Sequence, residues 1–263
     1  MEAHQYLTDY YSNYDEDGRL TTKHGTVEFL TTLRYIERYI KQGDYVLEIG
    51  AATGRYSHAL ARKGYTVDAV ELIEHNIEIF RKNTQPDERI TIKQANAMDL
   101  STFSDNTYDI TLMLGPLYHL FNNEDKRQAL REAIRVTKQG GVIFAAYAIS
   151  DASILDSGFR RGIFNVADYI EKGLIDPVTF VAKSEPKELF ELVRKESIDE
   201  LMSIFSVTRL HYVASDGFAR HIRDELEIMD DDTFDLYLKY HFATCEREDL
   251  AGITSHALDI FKK

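Results

Sequence analysis

At 263 residues, with 44% apolar and 29% charged residues and only four prolines, the chain has the composition of a folded globular protein, long enough for one α/β domain with insertions. Its net charge of −13 and pI near 5.2 argue against a nucleic-acid partner, because phosphate backbones call for a basic surface. No run of about 18 apolar residues is available to cross a membrane, and the single cysteine, Cys245, excludes an intrachain disulfide and a cysteine metal cage, so no metal is expected.

Residues 1–20 are polar, acidic and rich in tyrosine, without the basic start and apolar block of a secretory leader, and a cytoplasmic location is expected. Residues 26–41 place Val27, Leu30, Leu33, Ile36 and Ile40 at helical spacing, and Gly43 ends that helix. Residues 45–49 form a short apolar run suited to a buried strand. Residues 50–54 turn tightly into a helix over 55–63. The alternation continues with a strand at 66–70, a helix at 73–82, and strands at 90–94 and 108–114. A helix at 124–137 and, after Gly140-Gly141, a strand at 142–148 complete it. Strands alternating with helices imply parallel strands joined by right-handed crossovers, and so a doubly wound α/β sheet.

Beyond residue 150 the pattern loosens. Residues 186–204 read as one long helix, 207–214 as a strand and 256–261 as a final strand. Residues 151–183 and 215–250 read as mostly helical insertions, expected with residues 1–25 to form a lid above the carboxyl edge of the sheet. No repeat or Pro/Gly-rich linker divides the chain, so residues 1–263 read as a single domain.

The strongest chemical signal is LEIGAATG at residues 47–54, lying between a strand and a helix. Glycine at such a turn lets the backbone bend sharply and a ligand approach without meeting a Cβ. The spacing is acidic-x-G-x-A-x-G, running through Glu48, Gly50, Ala51, Ala52 and Gly54. No G-x-G-x-x-G of the dinucleotide type can be drawn through it, which disfavours a nicotinamide-dependent oxidoreductase. Glu71, about 20 residues on at the end of the next strand, can accept hydrogen bonds from both hydroxyls of a ribose, with Leu72 beside it. The third strand ends in Gln94-Ala95-Asn96-Ala97-Met98-Asp99, where Asn96 or Asp99, the Ala97 backbone and the Met98 side chain suit the edge and face of an adenine. The fourth ends in Leu114-Gly115-Pro116-Leu117-Tyr118-His119, beside the point where open α/β sheets bind ligands. There Tyr118 and His119 stand near the reacting end of a bound cofactor, although a lone histidine is more often a packed or hydrogen-bonding residue than a base.

Taken together, these segments resemble the class I S-adenosylmethionine (SAM)-dependent methyltransferases. LEIGAATG resembles the first motif of that family, Glu71 its ribose acid, and Asn96-Ala97 its aspartate-alanine pair. Val136-Thr137-Lys138-Gln139-Gly140-Gly141 resembles its V-L-K-P-G-G turn. Ala52 departs from the usual middle glycine and Asn96 from the usual aspartate. LGPLYHL, residues 146–153 and the ending at residues 249–256 resemble a bacterial small-molecule subgroup with a helical lid, but the aromatic-histidine stretch expected near residues 179–189 is missing.

The resemblance implies a Rossmann-like, seven-stranded, mostly parallel sheet whose last strand is antiparallel. It also implies SAM as cofactor, S-adenosylhomocysteine as product and a small-molecule acceptor. A base is needed only if the nucleophile keeps its proton; His119 is then the first choice, with Tyr118 or Tyr147 orienting the acceptor. Tyr10, Tyr11 and Tyr14 fit a lid over the cofactor, and Tyr14 is counted among its contacts, though surface aromatics on an arm fit as well. Two alternatives remain: a SAM-binding protein without catalysis, and a methyltransferase acting on protein or RNA. A homodimer is left open, because an apolar lid surface serves a partner subunit as readily as a substrate.

Overall fold

The structure, a computed structural model, describes residues 3–14 and 16–263, and the side chains of all of these except 3, 4, 17 and 19. Two short helices, α1 (Ala3–Tyr11) and α2 (Glu16–Arg19), precede the long helix α3 (Lys23–Tyr39). The sheet begins with β1 (Tyr45–Ile49), followed by α4 (Arg55–Arg62), β2 (Thr66–Glu71), α5 (Glu74–Asn83), β3 (Ile90–Gln94) and β4 (Tyr108–Met113). A 3₁₀ turn (Pro116–His119) leads to α6 (Asn123–Val136) and the 13-residue strand β5 (Thr137–Ile149). Then come α7 (Ser150–Ser153), a π-helical turn (Ile154–Arg160), α8 (Val166–Glu171) and the two-residue β6 (Leu192–Val193). The chain closes with α9 (Lys195–Met202), β7 (Thr208–Ala214), α10 (Arg223–Ile228), α11 (Asp231–Thr244) and β8 (His256–Lys262). Among the described residues no helix is long and apolar enough to cross a membrane.

The strand order is β3-β2-β1-β4-β5-β8-β7. Strands β1 to β5 run parallel, and β8 is antiparallel to both neighbours. Side chains alternate across the sheet, so successive residues feed different cores. Leu47, Ile49, Ile143 and Ala145 pack with Ala129, Leu130 and Ala133 of α6 and with Ile198 and Leu201 of α9. Val46, Ile110, Leu112 and Phe144 pack on the other face with Leu33, Tyr35 and Ile36 of α3 and Leu60 of α4. Sequence direction reverses at β1 and β4, which places the loops after both strands at one switch point on the carboxyl edge.

Four expectations change. The sheet has eight strands, not seven, because β6 pairs with β5 at Ala148 and Ile149. That pairing breaks the expected helix over 186–204: Pro186 opens a 3₁₀ turn, Leu189 takes a left-handed φ of 67°, and only Lys195–Met202 is α-helical. Helix α3 starts earlier than residue 26, since the Thr22 side chain accepts from Gly25 N and caps it. Strand β5 runs through Gly140-Gly141 instead of starting after them, with a register shift against β4 between Tyr108 and Ile110.

The segment after β5 walls the end of the sheet. The segment after β7 packs on α3, where Leu226, Phe234 and Leu238 surround Val27. Buried Asp156 ties the two segments together by accepting from Arg160 at 3.0 Å, Arg223 at 2.6 Å and Arg220 at 3.3 Å.

Candidate functional site

The loop after β1 is shaped by backbone demands. Gly50 has a φ of 71°, and a Cβ there would stand 2.7 Å from both Cγ and Cδ of Pro116. Only glycine lets the β1 and β4 loops approach this closely. Gly50 N and Ala51 N both donate to Val70 O, at 2.8 and 3.0 Å, pinning the turn to β2. Ala52 also takes a left-handed φ, of 47°, without glycine's freedom. Gly54 caps α4 at a φ of 92°, and a Cβ on it would run into Phe80 and His58.

Two buried carboxylates face the hollow above this turn. Glu71 Oε2 accepts from Ala52 N at 2.9 Å, while Oε1 accepts from Ile73 N at 2.9 Å and from Asn76 Nδ2 at 3.5 Å. Burial pushes the Glu71 carboxyl above its usual range although these donors pull it down. A carboxylate has about four acceptor positions, so Glu71 keeps capacity for further donors. Glu48 is 2% exposed and accepts from the Ser57 hydroxyl. Burial raises its carboxyl to about 7, against the pull of Ser57.

The hollow is a cavity of about 330 Å³. Of the residues expected at a cofactor site, Glu48, Gly50, Ala51, Ala52, Glu71, Leu72, Asn96, Ala97, Met98, Leu114 and Gly115 all line it, together with Tyr118 and His119. Gly54 shapes the turn from behind. Asn96 Oδ1 accepts from Met98 N at 2.9 Å, fixing the loop after β3, whereas Asp99 is not in the lining. Leu7, Glu16 and Leu20, within the expected lid segment but not singled out there, and Asn76, not anticipated at all, also line it. Asn76 is the most telling, because its Oδ1 is buried with no hydrogen-bond partner among the described residues.

A second cavity, of about 400 Å³, adjoins the first, and Tyr11, Glu16 and Tyr118 wall both. Tyr10, Tyr14, Phe190 and the segment between Ser153 and Ser184 supply much of its lining. Tyr14 therefore stands at the second cavity, stacked on Tyr10 at a ring distance of 4.9 Å. Tyr118 donates to Leu114 O at 3.0 Å. His119 is held at both nitrogens: Nδ1 donates to Leu189 O at 2.8 Å, so Nε2 is the acceptor for the Tyr11 hydroxyl at 2.9 Å. Burial lowers the His119 pKa to about 4, which keeps the ring neutral at pH 7. Tyr147 is not brought together with these residues. It packs in the core on the α6–α9 face and lines neither cavity.

A family model for a methyltransferase domain matches residues 47–145, the stretch from β1 into β5. The chain is 31% identical over 132 residues to the demethylmenaquinone methyltransferase of Clavibacter sepedonicus, covering 49% of this chain and 52% of that one. It is 24% identical over 187 residues to the ubiquinone biosynthesis O-methyltransferase of Coxiella burnetii, covering 68% and 73%. The first of these matches thus spans about half the relative's length. Among solved structures, a SAM-dependent methyltransferase of Thermotoga maritima superposes with a TM-score of 0.57 at 17% identity, covering 100% of both chains. One from Methanosarcina mazei superposes at 0.55 and 18% identity, covering 87% and 96%. At such identities these two likenesses speak for the fold alone. The glycine turn, the strand-end carboxylate and the matched methyltransferase domain lie over the same loops, so over residues 47–145 the chain is similar to SAM-dependent methyltransferases.

Proposed function

We propose that this protein transfers a methyl group from SAM to a small-molecule acceptor, with SAM in the first cavity and the acceptor in the second. The observation that carries this reading is a pair of adjoining cavities with different linings, sharing Tyr11 and Tyr118 as a common wall.

The first cavity fits SAM by its donor and acceptor set. Glu71 and the orphaned Asn76 Oδ1 offer acceptors to the two ribose hydroxyls. Glu48, buried in the same wall, offers the negative charge that an ammonium group needs. Leu72, Ile73 and Met98 supply apolar surface for an adenine, and the Asn96-Ala97 backbone its edge. SAM, when bound, supplies an already activated methyl group. The chain's own work is to align the acceptor and exclude water, and positioning of this kind lowers a barrier by about 7–11 kcal/mol. The N-terminal helix and the insertion over 151–183 act as the lid, since residues of both wall the cavities. His119, with both nitrogens engaged and a lowered pKa, serves to position Tyr11 at the shared wall.

A small acceptor is supported by the enclosed volume of the second cavity and by relatives named for demethylmenaquinone methylation and ubiquinone biosynthesis. The acidic chain weighs against RNA. Isothermal titration tests the cofactor assignment. SAM is expected to bind in the micromolar range, with NAD(H) as a silent control, and Glu71→Ala is expected to abolish binding. Binding of NAD(H), or of neither ligand by the folded protein, would overturn the reading.

A further inference from the structure

One wall of the second cavity carries an excess of positive charge, in a chain whose net charge is −13. Ser153, Ile154 and Ser157 form that wall from α7 and the π-helical turn, and Arg220 joins them from the segment after β7. Asp156, next to Ser157 in the turn, is fully enclosed. Burial pushes its carboxyl up, but Arg160, Arg223 and Arg220 prevail and hold it below the usual carboxylate range, so it stays ionised. These three guanidiniums lie 3.0, 2.6 and 3.3 Å from it. The exposed Asp224 reaches Arg160 alone, at 3.8 Å. The crowding is felt at Arg223: burial holds its pKa below the usual value, and Arg161, Arg220 and Arg160 push the same way against the pull of Asp156.

Of the three guanidiniums on Asp156, only that of Arg220 belongs to a residue lining the cavity, and it makes the longest of the three contacts. Its Nε donates to Asp156 Oδ2 at 3.3 Å, and the side chain remains 31% exposed. The charged end of Arg220 therefore stands beside Asp156, at the wall that Ser157 lines. A guanidinium has five N–H donors in a planar fork, which matches the two oxygens of a carboxylate. Ser153 and Ser157 bring hydroxyls to the same wall. Ser255, elsewhere in the lining, has a buried Oγ with no hydrogen-bond partner among the described residues.

The rest of the cavity is aromatic. Phe164 and Tyr169 pack with ring centroids 4.5 Å apart, and Tyr10, Tyr14 and Phe190 complete walls suited to a flat molecule. The other charged groups in the lining oppose one another. Lys183 adds a cation, Glu16 and Glu188 add acids, and Glu188 accepts from the Tyr169 hydroxyl at 2.5 Å. The His256 ring lies between Asp216 and Glu28, with Nδ1 at 3.2 and 3.3 Å from them. A doubly charged phosphate would meet these acids, whereas a singly charged carboxylate suits the balance.

We propose that the second cavity takes a planar carboxylic acid in its ionised form, with Arg220 binding the carboxylate and Ser157 as a further donor. The proposal rests on the methyltransferase reading above and narrows it: the acceptor is an acidic small molecule. Arg220 holds one end of it, and the other end reaches the wall that Tyr11 and Tyr118 share with the first cavity. Asp156 is a positioning residue that fixes the Arg220 fork through Nε. Paired bonds between a guanidinium and a carboxylate are about twice as strong as neutral ones and set orientation as well as affinity. In an acidic protein, such a local cation also offsets the repulsion that an anionic substrate meets on approach.

The test is a titration of protein loaded with S-adenosylhomocysteine by three probes of similar shape: benzoate, uncharged benzamide and phenyl phosphate. The wild type is expected to bind benzoate saturably, about tenfold or more tightly than either of the others. This comparison needs no variant. Arg220→Gln should lose about tenfold or more in benzoate affinity and leave benzamide within about twofold. Arg160→Gln removes a bond to the same Asp156 from a residue that lines neither cavity, and should keep benzoate affinity within about twofold. Equal affinity for benzoate and benzamide, tighter binding of phenyl phosphate, equal losses in the two variants, or no saturable benzoate binding would each overturn the proposal. Failure of the wild type to bind S-adenosylhomocysteine would instead remove the methyltransferase reading beneath it.

Discussion

Replacing Gly50 by alanine isolates what the glycine turn does. Two costs are expected. The first is conformational, because a Cβ at a φ of 71° costs about 1–2 kcal/mol. The second is steric, because that Cβ would stand 2.7 Å from two Pro116 ring atoms, an overpacking worth about 1–3 kcal/mol. Gly64 provides the control: its φ is 91°, and a Cβ there would meet nothing within 4 Å. Gly64→Ala should therefore lose only the conformational part, about 1–2 kcal/mol. Denaturant unfolding of both variants gives the steric part by difference. Pro116 lines the first cavity, so SAM affinity should fall about tenfold or more in Gly50→Ala, equivalent to about 1.4 kcal/mol. In Gly64→Ala affinity should be unchanged. Equal stability losses and unchanged SAM affinity in both variants would refute the argument that Gly50 is required for the close approach of the two loops.

Other outcomes follow from the buried carboxylates and from the one alanine in a glycine-like conformation. The Glu48 pKa, raised by burial to about 7, lies above its unfolded value, so its contribution to stability is complete below the ordinary carboxylate range and is lost as pH rises through 7. Glu48→Gln should flatten the stability profile in that window, as followed by thermal unfolding against pH. An ammonium group beside Glu48 favours its charged form, so SAM binding at about pH 6 should release protons, detected by titration in buffers of different ionisation enthalpy and absent in Glu48→Gln. Ala52→Gly, at a φ of 47°, should stabilise the protein by about 1 kcal/mol, measured by denaturant unfolding, without weakening SAM binding.

Much of the fold is local and was therefore readable in the chain. The apolar run 45–49, the glycine turn and Glu71 each declare themselves within a few residues, and all three meet at the first cavity. The second half is less legible because its structure comes from distant pairing. Leu192 and Val193 look like a continuation of the apolar stripe of α9, yet they add a strand beside Ala148 and Ile149. The Tyr11–His119 bond joins residues 108 apart in sequence, and nothing near His119 signals that its Nε2 is occupied. His256 reads in the sequence as the end of the 249–256 segment and the start of a strand, whereas its contacts with Asp216, 40 residues away, and with Glu28 in another helix come from distant segments. Tyr147 shows the reverse error. Strand alternation turns it toward the α9 side of the sheet, while its neighbour Ala148 faces the cavity.

The most direct test of the central claim is a crystal structure of the protein grown with S-adenosylhomocysteine. The account expects the ligand in the first cavity, with its ribose hydroxyls donating to the Glu71 carboxylate and to Asn76 Oδ1 and the adenine beside Met98. A ligand bound elsewhere, or a ribose that leaves Glu71 and Asn76 untouched, would contradict it.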